Sequence, residues 1–333
     1  MSQKPVIAFV TGGYSGEAEI SYKSAITIEK NIDQEKFEYY RIDITPSGWF
    51  HQSAEGMKTA VSKEDFSLVL AGKKINFDAV LIGIHGTPGE DGRLQGYFDL
   101  LNIPYTSCDA ATSALTFNKR YTVAVAAFSG IGVAKSLHLF KNGHSSADQI
   151  RKQLKLPVFV KPNNGGSSIG MSKVSKSEEI ETALEKAFRE DDQVLIEEFI
   201  QGREFTVGVF KTATEIIVLP ITEVETTKEF FDFEAKYQGK STETTPAKIN
   251  EQMENNIRNA ARKVYEMFNC RGVVRIDFIY EENLQQPFML EINTVPGQSE
   301  ASIVPKQVRA MGWSLKQFYS ALIEDALTRK KKA

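Results

Sequence analysis

Residues 6–10, Val-Ile-Ala-Phe-Val, form an unbroken apolar run that ends at Gly12-Gly13, and a helical pattern follows over about 17–31. A second such run, at 79–84, ends at His85-Gly86 and a glycine-rich turn, with a helix expected near 94–101. Apolar runs without alternation belong to strands covered on both faces, and their succession with helices predicts a parallel α/β sheet. This first unit fades near Asn102-Ile103-Pro104. Beyond it the pattern predicts a helix over about 116–129, a strand at 158–161, a Gly/Ser loop at 163–170, a helix over 177–189 and a strand at 193–197. Strands near 204–210 and 215–220 come next, then a polar, aromatic stretch over about 226–245. A patternless stretch of that length is more often a lid or binding loop than filler. In residues 257–268, Ile257, Ala260, Ala261, Val264, Met267 and Phe268 share one helical face, which reads as core. Strands at 273–280 and 288–293 flank the polar turn 281–286 as a hairpin. Ser314 is placed to cap a last helix whose Leu315, Phe318, Leu322 and Ile323 face inward, with basic residues at its favourable C-terminal end.

Composition narrows the class. The 333 residues, 41% hydrophobic and 10% aromatic, can bury a large core, and that length suggests two or three domains. A net charge of −3 with 25% charged residues implies no basic face for nucleic acid, and Lys330-Lys331-Lys332 reads as a frayed helix end. Cys108 and Cys270 lie far apart without metal-ligand spacing, so both are expected as buried, reduced thiols. The opening apolar run is too short for a signal peptide and no long apolar stretch follows, which predicts a cytoplasmic protein that does not enter the membrane. There is no internal repeat and no low-complexity tract.

Side chains two apart on a strand share a face. In 273–278 the apolar Val274, Ile276 and Phe278 take one face while Arg275 and Asp277 take the other; Glu291 and Asn293 likewise share a face of the partner strand. As a hairpin these four bring two carboxylates, an amide oxygen and a guanidinium together, a hard-oxygen set that suits Mg²⁺ bridging phosphates. An exposed strand face with ordinary ion pairs is the plain alternative. Lys161 closes a buried strand ahead of Asn163-Asn164-Gly165-Gly166-Ser167-Ser168-Ile169-Gly170, a point charge followed by free backbone N–H groups suited to phosphate. No Gly-Lys-Ser/Thr ends the loop, so it is not the Walker pattern; the alternative is a plain flexible turn. The strand at 194–200 runs into a linker whose backbone could pair with an adenine edge, with Glu204 near ribose hydroxyls.

In this order, the lysine loop, Ile196-Glu197-Glu198, Arg275-Ile276-Asp277 and Glu291-Ile292-Asn293 resemble the ATP-grasp superfamily. Four more stretches make the chain similar to D-alanine–D-alanine ligases: 12–17 (Gly-Gly-Tyr-Ser-Gly-Glu), His85-Gly86 with Gly89-Glu90-Asp91-Gly92, Glu234-Ala235-Lys236-Tyr237, and Asn293-Thr294-Val295-Pro296-Gly297. The match spans nearly the whole chain, and it is the combination that is specific. The resemblance implies an N-terminal Rossmann-like parallel-sheet domain at 1–104 for substrate, then a two-subdomain ATP-grasp fold at 105–197 and 198–333, with the lid at about 226–245. It implies ATP between the last two, with Lys119 and Lys161 on phosphates and Ser167 and Ser168 in a loop closing over them. Glu197, Glu198 and Ile200 would lie at adenine, Glu204 at ribose, and Lys236 at the γ-phosphate. Asp277, Glu291 and Asn293 would hold two Mg²⁺ or Mn²⁺ ions. Glu17, His85, Ser167, Tyr237, Arg275, Gly297, Ser302 and Ile303 would form the substrate side. A homodimer is expected, with D-alanine and ATP as small-molecule partners.

By that resemblance one D-alanine carboxylate attacks ATP, giving an acyl phosphate whose carbonyl the second D-alanine's amine then attacks, with Arg275 and the Gly297 N–H on the developing charge. Glu17 would bind the first ammonium, or else only complement a helix dipole. Ser302 would receive the second carboxylate, cap a helix, or do both. His85 would be a substrate contact or a structural histidine at a turn. Lys236-Tyr237 favours an amine over a hydroxyl acceptor, and a trio of Tyr237, Ser167 and Glu17 would latch the lid. Phe233 stands where some relatives carry tyrosine and Glu198 where some carry lysine, departures that bear on lid and base contacts. The rivals are a ligase using D-serine as acceptor, a Rossmann oxidoreductase and a silent nucleotide-binding module. The oxidoreductase lacks Gly-x-Gly-x-x-Gly at 12–16, and the intact set Arg275, Asp277, Glu291, Asn293 argues against the silent module.

Overall fold

β1 (Val6–Gly12) is the apolar run that opens the chain, and its side chains divide between two cores. Ile7 and Phe9 enter one, Ala8 and Val10 the other, all fully buried, which is why the run shows no alternation. In this computed structural model, which describes residues 3–53, 56–143, 146–166, 169–226 and 241–329, α1 (Ala18–Asn31) returns from β1 to β2 (Glu38–Thr45). β3 (Gly48–Gln52) and β4 (Lys58–Ala60) follow, then a two-stranded ribbon of β5 (Leu68–Leu70) and β6 (Lys73–Ile75), then β7 (Ala79–Ile82). The sheet order is β4-β3-β2-β1-β7. It is parallel across β2-β1-β7; the apolar runs predict the β1 and β7 strands of this parallel part but not β2, and the sheet is antiparallel where β3 and β4 fold back. α2 (Arg93–Leu100) covers one face through Leu94 and Phe98.

The single helix expected over 116–129 is two, α3 (Ala110–Phe117) and α4 (Lys119–Phe128). The break has a local cause. Asp109 accepts from the Thr112 N–H to cap the first, and extended Asn118 accepts from the Tyr121 N–H to cap the second. β8 (Ser136–Phe140), α5 (Ala147–Gln153), β9 (Val158–Pro162), β10 (Ser172–Val174), a 3₁₀ turn at Ser177–Glu179 leading into α6 (Ile180–Ala187), and β11 (Gln193–Glu198) make an antiparallel layer ordered β10-β9-β11-β8. Val158, Val160, Val194 and Ile196 pack on Ile180 and Leu184, so the alternate positions, including Lys161 and Glu197, face the other way.

The last region holds β12 (Arg203–Lys211), β13 (Ile216–Val218), β14 (Thr222–Thr226), β15 (Ser241–Thr244), α7 (Glu251–Met267), β16 (Val273–Glu281) and β17 (Gln286–Asn293). α7 starts before the apolar periodicity, because Asn250 caps it through the Met253 N–H. Phe205, Val207, Val274, Ile276 and Phe278 bury against Ile257, Ala261 and Val264 of α7. Glu204, Thr206, Arg275 and Asp277 are thereby left on the opposite face. α8 (Ile303–Ala310) precedes α9 (Leu315–Thr328), which Ser314 caps in a capping box with Gln317. Leu315, Phe318, Leu322 and Ile323 pack with Ile7, Phe9, Ala25 and Ile28, so the final helix covers the first sheet. Most of the expected lid lies outside the described residues, Phe233 with it.

Candidate active site

The β16–β17 register sets Arg275 opposite Asn293 and Asp277 opposite Glu291. A bulge follows at once: Phe278 pairs with Met289, leaving Leu290 as the extra residue, so that Leu290 and Glu291 both reach the cleft. Arg275 lays its fork on Asp277, Nε to Oδ1 at 2.9 Å and Nη2 to Oδ2 at 2.8 Å, and stands 3.8 Å from Glu291. Thr206 donates to Asp277 Oδ1 at 2.5 Å and Asn293 Nδ2 to Oδ2 at 3.4 Å. Among the described residues no three His, Cys, Asp or Glu side chains make a ready metal cage. The set Asp277, Glu291 and Asn293 offers two carboxylates and one amide oxygen, and it fits an ion such as Mg²⁺ that completes its shell with water and phosphate oxygens.

Two cavities share this wall. One, of about 700 Å³, is lined by Lys161, Glu197, Glu198, Phe199 and Ile200. The other, of about 400 Å³, is lined by Glu17, His85, Glu90, Arg275, Gly297, Ser302 and Ile303. Lys119, Gly165, Gly166, Glu204, Asp277 and Glu291 line both, so the chambers meet at the hairpin. Lys161 and Glu197, on paired strands, form a buried ion pair at the floor of the larger one. Glu198 points the other way along β11, and its carboxylate accepts from the Lys155 N–H at 2.8 Å. Lys119 donates to the Gly165 carbonyl at 2.6 Å, and the Arg120 N–H to Asn163 Oδ1 at 2.8 Å, which ties the Gly/Ser loop to the start of α4. Ser167, Ser168, Lys236 and Tyr237 lie outside the described residues.

In the smaller chamber Glu17 occupies the N-cap position of α1, yet its side chain makes no capping bond. Its carboxylate reaches across the cleft instead. A β-carbon on Gly86 would stand 2.5 Å from Glu17 Oε2, and one on Gly166 would stand 2.8 Å from Oε1. Gly86 also has a φ of +67°, the left-handed region that favours glycine. Ser302 likewise holds the N-cap position of α8 without capping it, and its hydroxyl pairs with that of Ser299 at 2.8 Å. A β-carbon on Gly297 would stand 2.9 Å from Ser302 Oγ, so the two are neighbours.

Comparison with known proteins decides the family. The family model described as D-ala D-ala ligase N-terminus matches residues 6–108, and that described as D-ala D-ala ligase C-terminus matches residues 119–324. The chain belongs to the D-alanine–D-alanine ligase family. A D-alanine–D-alanine ligase of Phocaeicola vulgatus is 44% identical over 322 residues, 97% of this chain and 99% of that one. Among solved structures, the VanG D-Ala:D-Ser ligase of Enterococcus faecalis superposes with a TM-score of 0.87 at 32% identity, covering 97% of this chain and 100% of that one. A D-alanine–D-alanine ligase of Bacillus anthracis, solved complexed with ATP, gives 0.78 at 26% identity over 98% and 99%.

In this ligase-family chain His85 lines the smaller chamber, where Nε2 bonds the Ser24 hydroxyl at 2.8 Å and Nδ1 bonds the Val295 carbonyl at 2.6 Å. Burial pushes its pKa down to about 4, with the Arg275 charge adding to the effect. Glu90 is the residue that sequence reasoning missed. It sat in a recognised stretch without a role, and only its place between glycines hinted that backbone amides come close. Desolvation and then the Glu17 charge push its carboxyl up to about 8, against the Gly86 and Val295 N–H groups and Arg275. Thr206 was missed as well, though alternation along β12 puts it beside Glu204 on the cleft face.

These two shifts predict a pH profile. Glu90 ionises near 4.5 when unfolded and near 8 when folded, so its stabilisation is full below 4.5 and is lost as pH rises toward 8. His85 has 6.5 unfolded and about 4 folded, so its stabilisation is full above 6.5 and is lost as pH falls toward 4. Above pH 6.5 only the Glu90 effect remains, roughly 1–2 kcal/mol by pH 8. Melting temperature should therefore fall from pH 6.5 to 8 in the parent and stay flatter in Glu90→Gln. Equal slopes would remove Glu90 from this role.

Proposed function

We propose that this protein joins two D-alanines into D-alanyl-D-alanine for peptidoglycan precursor synthesis, with ATP cleaved to ADP and phosphate. The observation that carries the reading is the shared wall. A nucleotide-sized cavity and a smaller one meet at Lys119, Asp277 and Glu291, so a γ-phosphoryl group and a substrate carboxylate can be brought to one point. A carboxylate oxygen cannot leave, and two anions repel; phosphorylation supplies the leaving group and the surrounding charges make the approach tolerable. In this reading the larger chamber takes ATP, with the base between the β11 end and Ile200, ribose at Glu204, and phosphates at Lys119, Lys161 and the loop carrying Ser167 and Ser168. Lys236 adds charge at the γ-phosphate. Asp277, Glu291 and Asn293 would hold two Mg²⁺ or Mn²⁺ ions. When bound, these would neutralise phosphate charge at the wall.

In the smaller chamber Glu17 receives the first ammonium, and the first carboxylate attacks the γ-phosphoryl group to give an acyl phosphate and ADP. The second D-alanine places its carboxylate at Ser302 and the start of α8 by Ile303, where N–H groups lack intrahelical partners. Its amine attacks the carbonyl, Arg275 and the Gly297 N–H stabilise the tetrahedral oxyanion, and phosphate leaves. Tyr237, with Ser167 and Glu17, latches the lid over the acyl phosphate. We further propose the division into 1–104, 105–197 and 198–333, a homodimer, and a cytoplasmic location. Among the described residues no helix is long and apolar enough to cross a membrane.

The test is ADP and phosphate release with Mg²⁺ and D-alanine, L-alanine, D-serine or D-lactate, singly and in pairs, with products resolved by mass. Release that requires D-alanine and yields its dipeptide supports the reading. Mixed dipeptide in preference to D-alanyl-D-alanine would favour D-serine as acceptor, and no release with any of them would overturn the reading. Gly166→Ala adds a local check. The new methyl would crowd Glu17 Oε1, so KM for the first D-alanine should rise about tenfold, equivalent to about 1.4 kcal/mol. An unchanged KM for D-alanine would separate Glu17 from substrate.

A further inference from the structure

Val295 stands two residues beyond Asn293 and two before Gly297, and side chains from a distant part of the chain hold both of its backbone polar groups. Its N–H donates to Glu90 Oε1 at 3.0 Å. Its carbonyl accepts from His85 Nδ1 at 2.6 Å. A carbonyl oxygen cannot donate, so Nδ1 carries the ring proton and Nε2 accepts from the Ser24 hydroxyl. Ser24 Oγ in turn accepts from the Gln298 N–H at 3.0 Å. The other Glu90 oxygen accepts from the Gly86 N–H at 2.7 Å, and the His85 N–H donates to Ser21 Oγ at 3.0 Å. Ser21, Ser24, His85, Val295 and Gln298 are each at most 5% exposed. The segment after β17 is thus fixed at Val295 and again at Gln298, and the Gly297 N–H lies between these two points.

We propose that His85 and Glu90 are positioning residues, which hold the Val295 backbone so that the Gly297 N–H is aimed at the reacting carbonyl. The inference rests on the ligation proposed above, because the carbonyl in question is that of the acyl phosphate. A hydrogen-bond donor aimed where charge develops loses its effect when displaced by a fraction of an ångström. The clamp therefore acts on amine attack more than on phosphoryl transfer. A mere staple between the β7 turn and β17 would lower stability without favouring either half-reaction.

The two histidine nitrogens allow a discriminating pair of variants. Asparagine puts an amide nitrogen near the place of Nδ1, and glutamine puts one near Nε2. In Glu90→Gln and His85→Gln, kcat for dipeptide should fall about 100-fold, the size of a lost oxyanion donor, with KM for ATP nearly unchanged. ADP should then exceed dipeptide, because acyl phosphate that waits is lost to water. His85→Asn should recover about tenfold relative to His85→Gln, as restoring one charge-directed donor would. Equal losses in Asn and Gln, or ADP and dipeptide falling together, would overturn the proposal. Hydrogen exchange at the Val295 amide needs no reaction: slow exchange in the parent that quickens in Glu90→Gln supports the clamp, and fast exchange in the parent overturns it. A parent enzyme that makes no dipeptide would sink the ligase reading, while the exchange result would still decide the clamp.

Discussion

Replacing Glu291 with glutamine is expected to lower ATP-dependent turnover by about a thousandfold, the effect of losing about 4 kcal/mol of charge stabilisation. The change keeps the shape of the side chain and removes one of the two carboxylates proposed for the divalent ion. Glu291 stands directly opposite Asp277 at the wall shared by both chambers. Its side chain is 35% exposed and 3.8 Å from Arg275. A pair that long and that wet contributes only about 0–1 kcal/mol to stability. The melting temperature should therefore stay close to that of the parent while ADP release collapses at saturating Mg²⁺. Near-normal ADP release in this variant would sink the metal assignment.

Arg275→Met is expected to damage both stability and turnover. Arg275 binds Asp277 through two parallel bonds, and Asp277 is only 7% exposed. Removing the guanidinium leaves that carboxylate, among the described residues, with Thr206 and Asn293, and breaking a buried pair in this way costs about 3–5 kcal/mol. Turnover should fall about 100- to 1000-fold, as for loss of an oxyanion-stabilising group. Arg275→Lys should recover part of the stability but little of the turnover, because an ammonium cannot make the planar two-bond contact. Lower melting temperature with unchanged turnover would make Arg275 a purely structural partner of Asp277. Thermal melts and ADP release on the same preparations read both quantities.

The contrast between these two neighbours also shows what sequence can and cannot disclose. That Arg275 and Asp277 share a face, and that Glu291 and Asn293 share another, follows from strand periodicity, and a short polar turn brings the faces together. Val274, Ile276 and Phe278 enter the core as alternation requires. β1 and α9 were legible for the same reason: one is apolar on both faces, the other on one stripe, and both bury as their patterns demand. The break at Asn118 was not legible, because the helical pattern continues across it and only cap bonds reveal the joint. β2, β3 and β4 were missed since strands of mixed burial carry little pattern. His85 and Glu90 were the hardest, because each meets the backbone of a residue more than 200 positions away. Any side chain can present an N–H and a carbonyl at that place, so Val295 bears no mark of its partners.

In this cleft a D-alanine carboxylate is expected to become an acyl phosphate. The most direct measurement uses D-alanine labelled with ¹⁸O in its carboxylate, with the released inorganic phosphate analysed by mass. The account predicts one ¹⁸O transferred to phosphate for each dipeptide formed, since the oxygen that attacks the γ-phosphoryl group leaves with it. Dipeptide formed alongside unlabelled phosphate would contradict it, because the carboxylate oxygen would then have departed by another route.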